Sequence, residues 1–205
     1  MRLRAGWMAG LVAALWIAAP ATAEETPREV VSTTIDEVLE VLRRSDETPE
    51  QKRREIEKIA YARFDFETMG KLVLARNWKK FDDGQRESFI TEFKRHLSRS
   101  YGTRISRYEQ EKVEVSGERE EKRGDVTVLT VIRGGQFEGA EVNYRMRNRQ
   151  DAWRVIDVVI EGVSLVSNFR SQFQDIVSKD GPDGLIAQLK SRNDEADASP
   201  AASGE

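Results

Sequence analysis

The chain has 205 residues, 34% of them charged, with a net charge of −3, a single histidine and no cysteine. Such a length suffices for one domain with its own core, and the mildly acidic balance argues against a nucleic-acid binder or a protein held to an anionic membrane by charge alone. The lack of cysteine excludes disulfides, thiolate metal sites, a cysteine nucleophile and a lipid carried on an N-terminal cysteine.

Arg2 and Arg4 precede an apolar run from Ala5 to Ala19, then Pro20 and the small residues Ala21-Thr22-Ala23. This order is that of a cleaved export signal, and the run is short of the ~20 residues that span a bilayer as a helix. We expect residues 1–23 to be removed after Ala23 and the remainder to work in the periplasm. Residues 24–193 would form the domain and 194–205, DEADASPAASGE, a disordered tail.

Thr26-Pro27-Arg28-Glu29 reads as a helix start with a capping box, followed by a stripe of Val31, Ile35, Val38 and Leu42. Thr48-Pro49-Glu50-Gln51 repeats the signal for a charged helix whose narrow apolar face is Ile56, Ile59 and Ala60. Asp65 then caps a short apolar helix carrying Phe66, Met69, Leu72 and Val73. A long helix starts near Asp82, with Phe89, Phe93, Leu97, Tyr101 and Ile105 at every fourth position. His96 falls at the edge of that stripe, and with no second histidine its plainer reading is structural.

The second half reads as sheet. Lys112 to Ser116 alternates, and Gly117 to Gly124 is a charged turn. Val126 to Ile132 is almost wholly apolar, and Val142, Tyr144 and Met146 alternate with polar neighbours. Ala152 to Ile160 is a β-branched strand ended by Glu161-Gly162, and Val166, Phe169, Phe173 and Ile176 open a helix that stops near Lys179–Gly184 and restarts at Leu185. Four strands at short spacing between helical segments predict an α+β fold with an antiparallel meander. Simple alternation puts Trp153, Val155 and Asp157 on one face of the last strand and Arg154, Ile156 and Val158 on the other; we expect the tryptophan set to face inward.

Two phrases carry a family resemblance. Trp153 to Phe173, WRVIDVVIEGVSLVSNFRSQF, and Phe64 to Leu74, FDFETMGKLVL, followed by Trp78, resemble the MlaC family, also called the toluene-tolerance periplasmic auxiliary family. Its members are soluble phospholipid carriers of the Gram-negative envelope, and the resemblance runs from about Pro27 to Arg192. It implies a curved four-stranded sheet closed by helices into a cone, akin to the nuclear-transport-factor and steroid-isomerase folds. It also implies a lipid pocket. Val115, Val128, Val142, Tyr144 and Met146 would line its sheet side, with Trp153 and Val155 from the last strand. Met69, Leu72, Val73, Phe93, Leu97 and Tyr101 would face them from the helices. Periodicity alone fits a packed core equally well. The implied partners are a phospholipid, an outer-membrane lipoprotein–porin complex, and an inner-membrane lipid ABC transporter with its substrate-binding ring. No nucleotide, metal or other cofactor is implied.

A carrier of this kind has to keep water from its cargo, because about fifteen methylenes of one acyl chain cost on the order of 12 kcal/mol to expose. Two other readings remain. The cargo is a hopanoid-type polycyclic lipid, or the chain is a cone-fold enzyme using Asp157 as general base; otherwise Asp157 serves a helix cap or faces solvent. No nucleophile elbow, zinc-protease motif or phosphate-cradling glycine loop is present.

Overall fold

The computed structural model describes residues 25–105 and 111–198, with the side chains of residues 103–105 outside that set. The expected leader, its cleavage point after Ala23 and the end of the tail lie outside the described residues. The elements are α1 (Pro27–Arg43), α2 (Pro49–Arg63), α3 (Phe66–Leu74), α4 (Asp83–Ile105), β1 (Lys112–Glu120), β2 (Val126–Arg133), β3 (Val142–Arg149), β4 (Ala152–Ile160), β5 (Val163–Ser164) and α5 (Leu165–Ala198).

The helix starts fall where the capping residues place them. The Thr26 hydroxyl accepts from the Glu29 N–H at 3.3 Å and the Glu29 carboxylate accepts from the Thr26 N–H at 2.8 Å. Thr48 and Gln51 repeat the exchange at α2, and Asp65 Oδ1 accepts from the Thr68 N–H at 2.8 Å to start α3. Each satisfies N–H groups that the first helical turn leaves unpaired. In α1 the buried set is Val30, Val31, Ile35, Leu39 and Val41, so Leu39 rather than Val38 continues the stripe. α2 buries no residue fully, which fits its charged sequence.

α4 and α5 form the helical layer's centre. Phe89 meets Phe173 and Phe93 meets Phe169, with ring centroids 6.0 and 5.5 Å apart, so the first part of α5 runs antiparallel to α4. At Gly181 (φ 71°, ψ −173°) the chain reverses, with Pro182 next. This is backbone that only glycine adopts without strain. The second part returns parallel to α4. Gln85 donates to Asp183, Asn193 donates to the Glu92 carbonyl at 3.0 Å, and Arg95 and Arg99 pair with Asp194 and Asp197. Those ion pairs hold the helix through Ala198, so the disorder expected from Asp194 is corrected: the acidic tail begins as helix because α4 supplies its counter-charges.

The sheet is antiparallel in the order β1-β2-β3-β4-β5 and has five strands rather than the expected four. The extra one is the two-residue β5, which pairs Val163 and Ser164 with Ile160 and Val159. β1 continues to Glu120, past the point where charge suggested a turn. A bulge at Ser116, between the pairs Val115–Thr130 and Gly117–Leu129, lets it do so. The tight turn is shorter and lies at Glu121–Gly124, where Arg123 and Gly124 take positive φ.

A second bulge decides which side chains face the helices. Tyr144 pairs with Val158 and Arg145 with Asp157, but Met146 pairs with Val155, leaving Ile156 as the extra residue. Directly paired residues share a face. Trp153, Val155, Val158 and Ile160 therefore share the face of Met146, Tyr144 and Val142, while Asp157 lies with Arg145 on the other. The expected grouping of Asp157 with Trp153 and Val155 is thereby corrected; strict alternation fails across a bulge. α1 packs on β1 and β2, and α3 and α5 pack on β4, so the helices cover one face of the sheet.

On the other face, Asp125 is buried between Arg145 and Arg147. Arg147 Nε donates to Oδ1 at 2.7 Å and Arg145 Nη2 to Oδ2 at 2.7 Å. Burial pushes the Asp125 carboxyl up, but the hydrogen bonds and charges of Arg147 and Arg145 together outweigh it and hold it below its ordinary value.

Candidate functional site

The sequence singled out thirteen apolar residues, and the structure brings all of them into one cluster between the sheet and the helices. Six are buried in its centre: Met69, Val73, Phe93, Val128, Met146 and Val155. The other seven, Leu72, Leu97, Tyr101, Val115, Val142, Tyr144 and Trp153, pack against that centre but stay half-buried. The division has a spatial pattern. Along α4, Phe89 and Phe93 are fully buried, whereas Leu97 and Tyr101, one and two turns on, are not. Along β3, burial falls from Met146 to Tyr144 and Val142, and along β4 from Val155 and Val158 to Ile160. Val113, Val115 and Ile132 sit half-buried at the same end of the sheet.

Tyr144 belongs to this half-buried set, and burial pushes its phenol up to about 12. Half-buried apolar residues packed on the same cluster that sequence reasoning left out of the lining include Val113, Ile160 and, on the last helix, Ile176 and Ile186. Ile160 was missed because the Ile156 bulge leaves no mark in the residue pattern.

The polar candidates have local partners. Asp157 Oδ2 accepts from the Ser164 hydroxyl at 2.6 Å and Oδ1 from the Val166 N–H at 3.1 Å. Its carboxylate thus caps the start of α5, the structural role weighed against a catalytic one. His96 stands edge-on to Phe169 at 5.6 Å, and its pKa is lowered by burial and by the charge of Arg192. Among the described residues no group of three or more histidine, aspartate or glutamate side chains is placed to hold a metal ion. No described helix is long and apolar enough to cross a membrane.

Two cavities open elsewhere. One of about 520 Å³ is a shallow groove beside Trp78, whose ring has Lys71 at 5.6 Å and Arg86 at 5.2 Å. The other, of about 290 Å³, lies where α3 meets α5 and shares only Val73 with the expected pocket lining.

Comparison with known proteins places this architecture. A family described as the MlaC protein matches residues 32–191. The toluene tolerance protein ttg2D of Pseudomonas putida is 24% identical over 189 residues, covering 87% of this chain and 88% of that protein. The intermembrane phospholipid transport system binding protein MlaC of Haemophilus influenzae is 26% identical over 130 residues, 60% of each chain. A phospholipid-binding protein from Ralstonia solanacearum, solved in complex with a phospholipid, superimposes with a TM-score of 0.74 at 24% identity, covering 81% of this chain and 96% of that one. With the family match spanning most of the described fold, the chain belongs to the MlaC family.

Proposed function

We propose that this chain is a periplasmic carrier that binds a phospholipid by its acyl chains and moves it between the two membranes of the envelope. The observation that carries the reading is the half-buried apolar patch around Tyr144, Leu97 and Val142, set at one end of an otherwise buried core. Acyl chains entering there would spread the surrounding side chains and fill the space so opened, while the head group stays at the rim. The bulges at Ser116 and Ile156 favour a bent sheet, and hence the cone-shaped enclosure that such a cargo needs. The relatives' names, which mention phospholipid binding and transport, support the same reading.

Export would follow cleavage after Ala23. Thirteen residues would line the pocket: Met69, Leu72, Val73, Phe93, Leu97, Tyr101, Val115, Val128, Val142, Tyr144, Met146, Trp153 and Val155. The carrier would receive and deliver its cargo at an outer-membrane lipoprotein–porin complex and at the substrate-binding ring of an inner-membrane ABC transporter. Any energy would come from the transporter, and this subunit would perform no chemistry.

The test is native mass spectrometry and lipid extraction on protein purified from the periplasm of a Gram-negative host. A bound mass matching diacyl phospholipid supports the proposal, and a polycyclic triterpenoid would redirect it to the hopanoid variant. Protein that is empty after every mild preparation contradicts it.

A further inference from the structure

The 290 Å³ cavity at the seam of α3 and α5 has an unusual lining. Val73 and Leu74 form its apolar floor, and Arg76, Asn77, Arg170 and Gln174 form its polar wall; no carboxylate lines it. Arg170 is held in place: its Nε and Nη2 donate to the Leu72 carbonyl at 2.9 and 2.8 Å, which fixes the guanidinium plane and leaves Nη1 for a ligand. Gln174 stands one turn further along the same side of α5. Arg76 is exposed at the rim.

Asn77, only 8% exposed, lines the cavity between them. An amide, a second amide and two guanidinium groups converging without an acid suit a tetrahedral oxyanion, because arginine forks match phosphate oxygens. The volume suits a phosphate with a glycerol-sized substituent rather than an acyl chain.

We propose that this cavity is a phosphate-binding subsite, held by Arg76, Asn77, Arg170 and Gln174, that takes a phosphate monoester or diester. The phosphate would come either from a lipid head group, since Val73 joins the cavity to the apolar cluster, or from a free phosphate ester. The site stands apart from the acyl-chain reading and is tested apart from it.

The experiment is a nuclear magnetic resonance titration of the ¹⁵N-labelled purified protein. One arm uses inorganic phosphate, the other dihexanoyl phosphatidylglycerol below its micelle concentration, both at ionic strength matched with chloride. The Asn77 and Gln174 side-chain amides and Arg170 Nε–H should shift saturably in at least one arm. Arg76→Glu, at an exposed position that the fold does not use, should weaken that binding at least tenfold. Response to phosphate assigns the site to free esters, response to the lipid alone assigns it to a head group, and response to both assigns it to the shared group. Resonances that stay still in both arms, or an Arg76→Glu protein that titrates like the parent, overturn the subsite. Co-purified phospholipid alongside silent amides removes the subsite and leaves the carrier standing; phosphate binding by protein that never holds lipid does the reverse.

Discussion

Replacing Leu97 by tryptophan separates a recess from a filled core. Leu97 lies one turn beyond Phe93, on the same stripe of α4, but is half-buried where Phe93 is wholly enclosed. If the space before it is open, the indole enters without moving its neighbours. The expected penalty is then only the difference in helix propensity, roughly 0.5 kcal/mol, offset in part by added apolar burial. In a closed core the same substitution would overpack the site and cost about 1–3 kcal/mol. The comparison variant is Phe93→Ala, which removes a fully buried ring and should cost about 3–5 kcal/mol. Urea unfolding of lipid-free protein measures both. Phosphorus per mole of protein, measured after purification from the periplasm, should fall for Leu97→Trp because the ring occupies cargo space. A Leu97→Trp loss of about 2 kcal/mol or more, with unchanged bound phosphorus, would refute the reasoning, since it would show a site already filled by protein.

Other substitutions test the framework. Asp157→Ala should destabilise by about 1–2 kcal/mol in urea unfolding, because it leaves the Val166 N–H and Ser164 hydroxyl unpaired, while bound phospholipid is unchanged; loss of cargo without loss of stability would point to a role beyond capping. Asp125→Ala strands Arg145 and Arg147 and should cost about 2–3 kcal/mol, below the range for fully buried pairs because both arginines keep partial exposure. The native carboxyl of Asp125 is depressed, so its contribution is complete above the ordinary aspartate range and is lost as pH falls through the lower native value. Acid unfolding of the parent should thus be steeper than that of Asp125→Ala, and parallel acid limbs would count against this account. Gly181→Ala meets no neighbour within contact distance, so its expected cost of about 1–3 kcal/mol is purely conformational; a thermal midpoint equal to the parent's would show that α5 does not need this reversal.

The legible parts of the fold were those set by local chemistry. Thr26, Thr48 and Asp65 announced helix starts because a side-chain oxygen three residues before an N–H satisfies it whatever surrounds them. The four-residue stripe of α4 and the alternation of β3 were legible because burial of one face dictates period. What stayed hidden depends on partners distant in sequence. The acids at 194 and 197 read as a solvated tail until Arg95 and Arg99, a hundred residues earlier in the chain, are seen beside them. The Ile156 bulge changes which side chains face inward without changing composition, so simple alternation put Val158 on the wrong face and left Ile160 out. The cavity lined by Asn77 and Arg170 carried no signal at all, since it forms only once α3 and α5 pack together. The apolar site residues were named through a resemblance, and their shared periodicity with ordinary core is why the chain's own pattern did not separate lining from filling.

The most direct measurement is an isotope-filtered nuclear Overhauser experiment on methyl-labelled protein loaded with a phospholipid whose acyl chains are protonated. Cross-peaks from chain methylenes to the methyls of Leu97, Val115 and Val142, and to the ring of Tyr144, are the predicted result. Methylene contacts confined to exposed surface residues, with those four silent, would contradict the account.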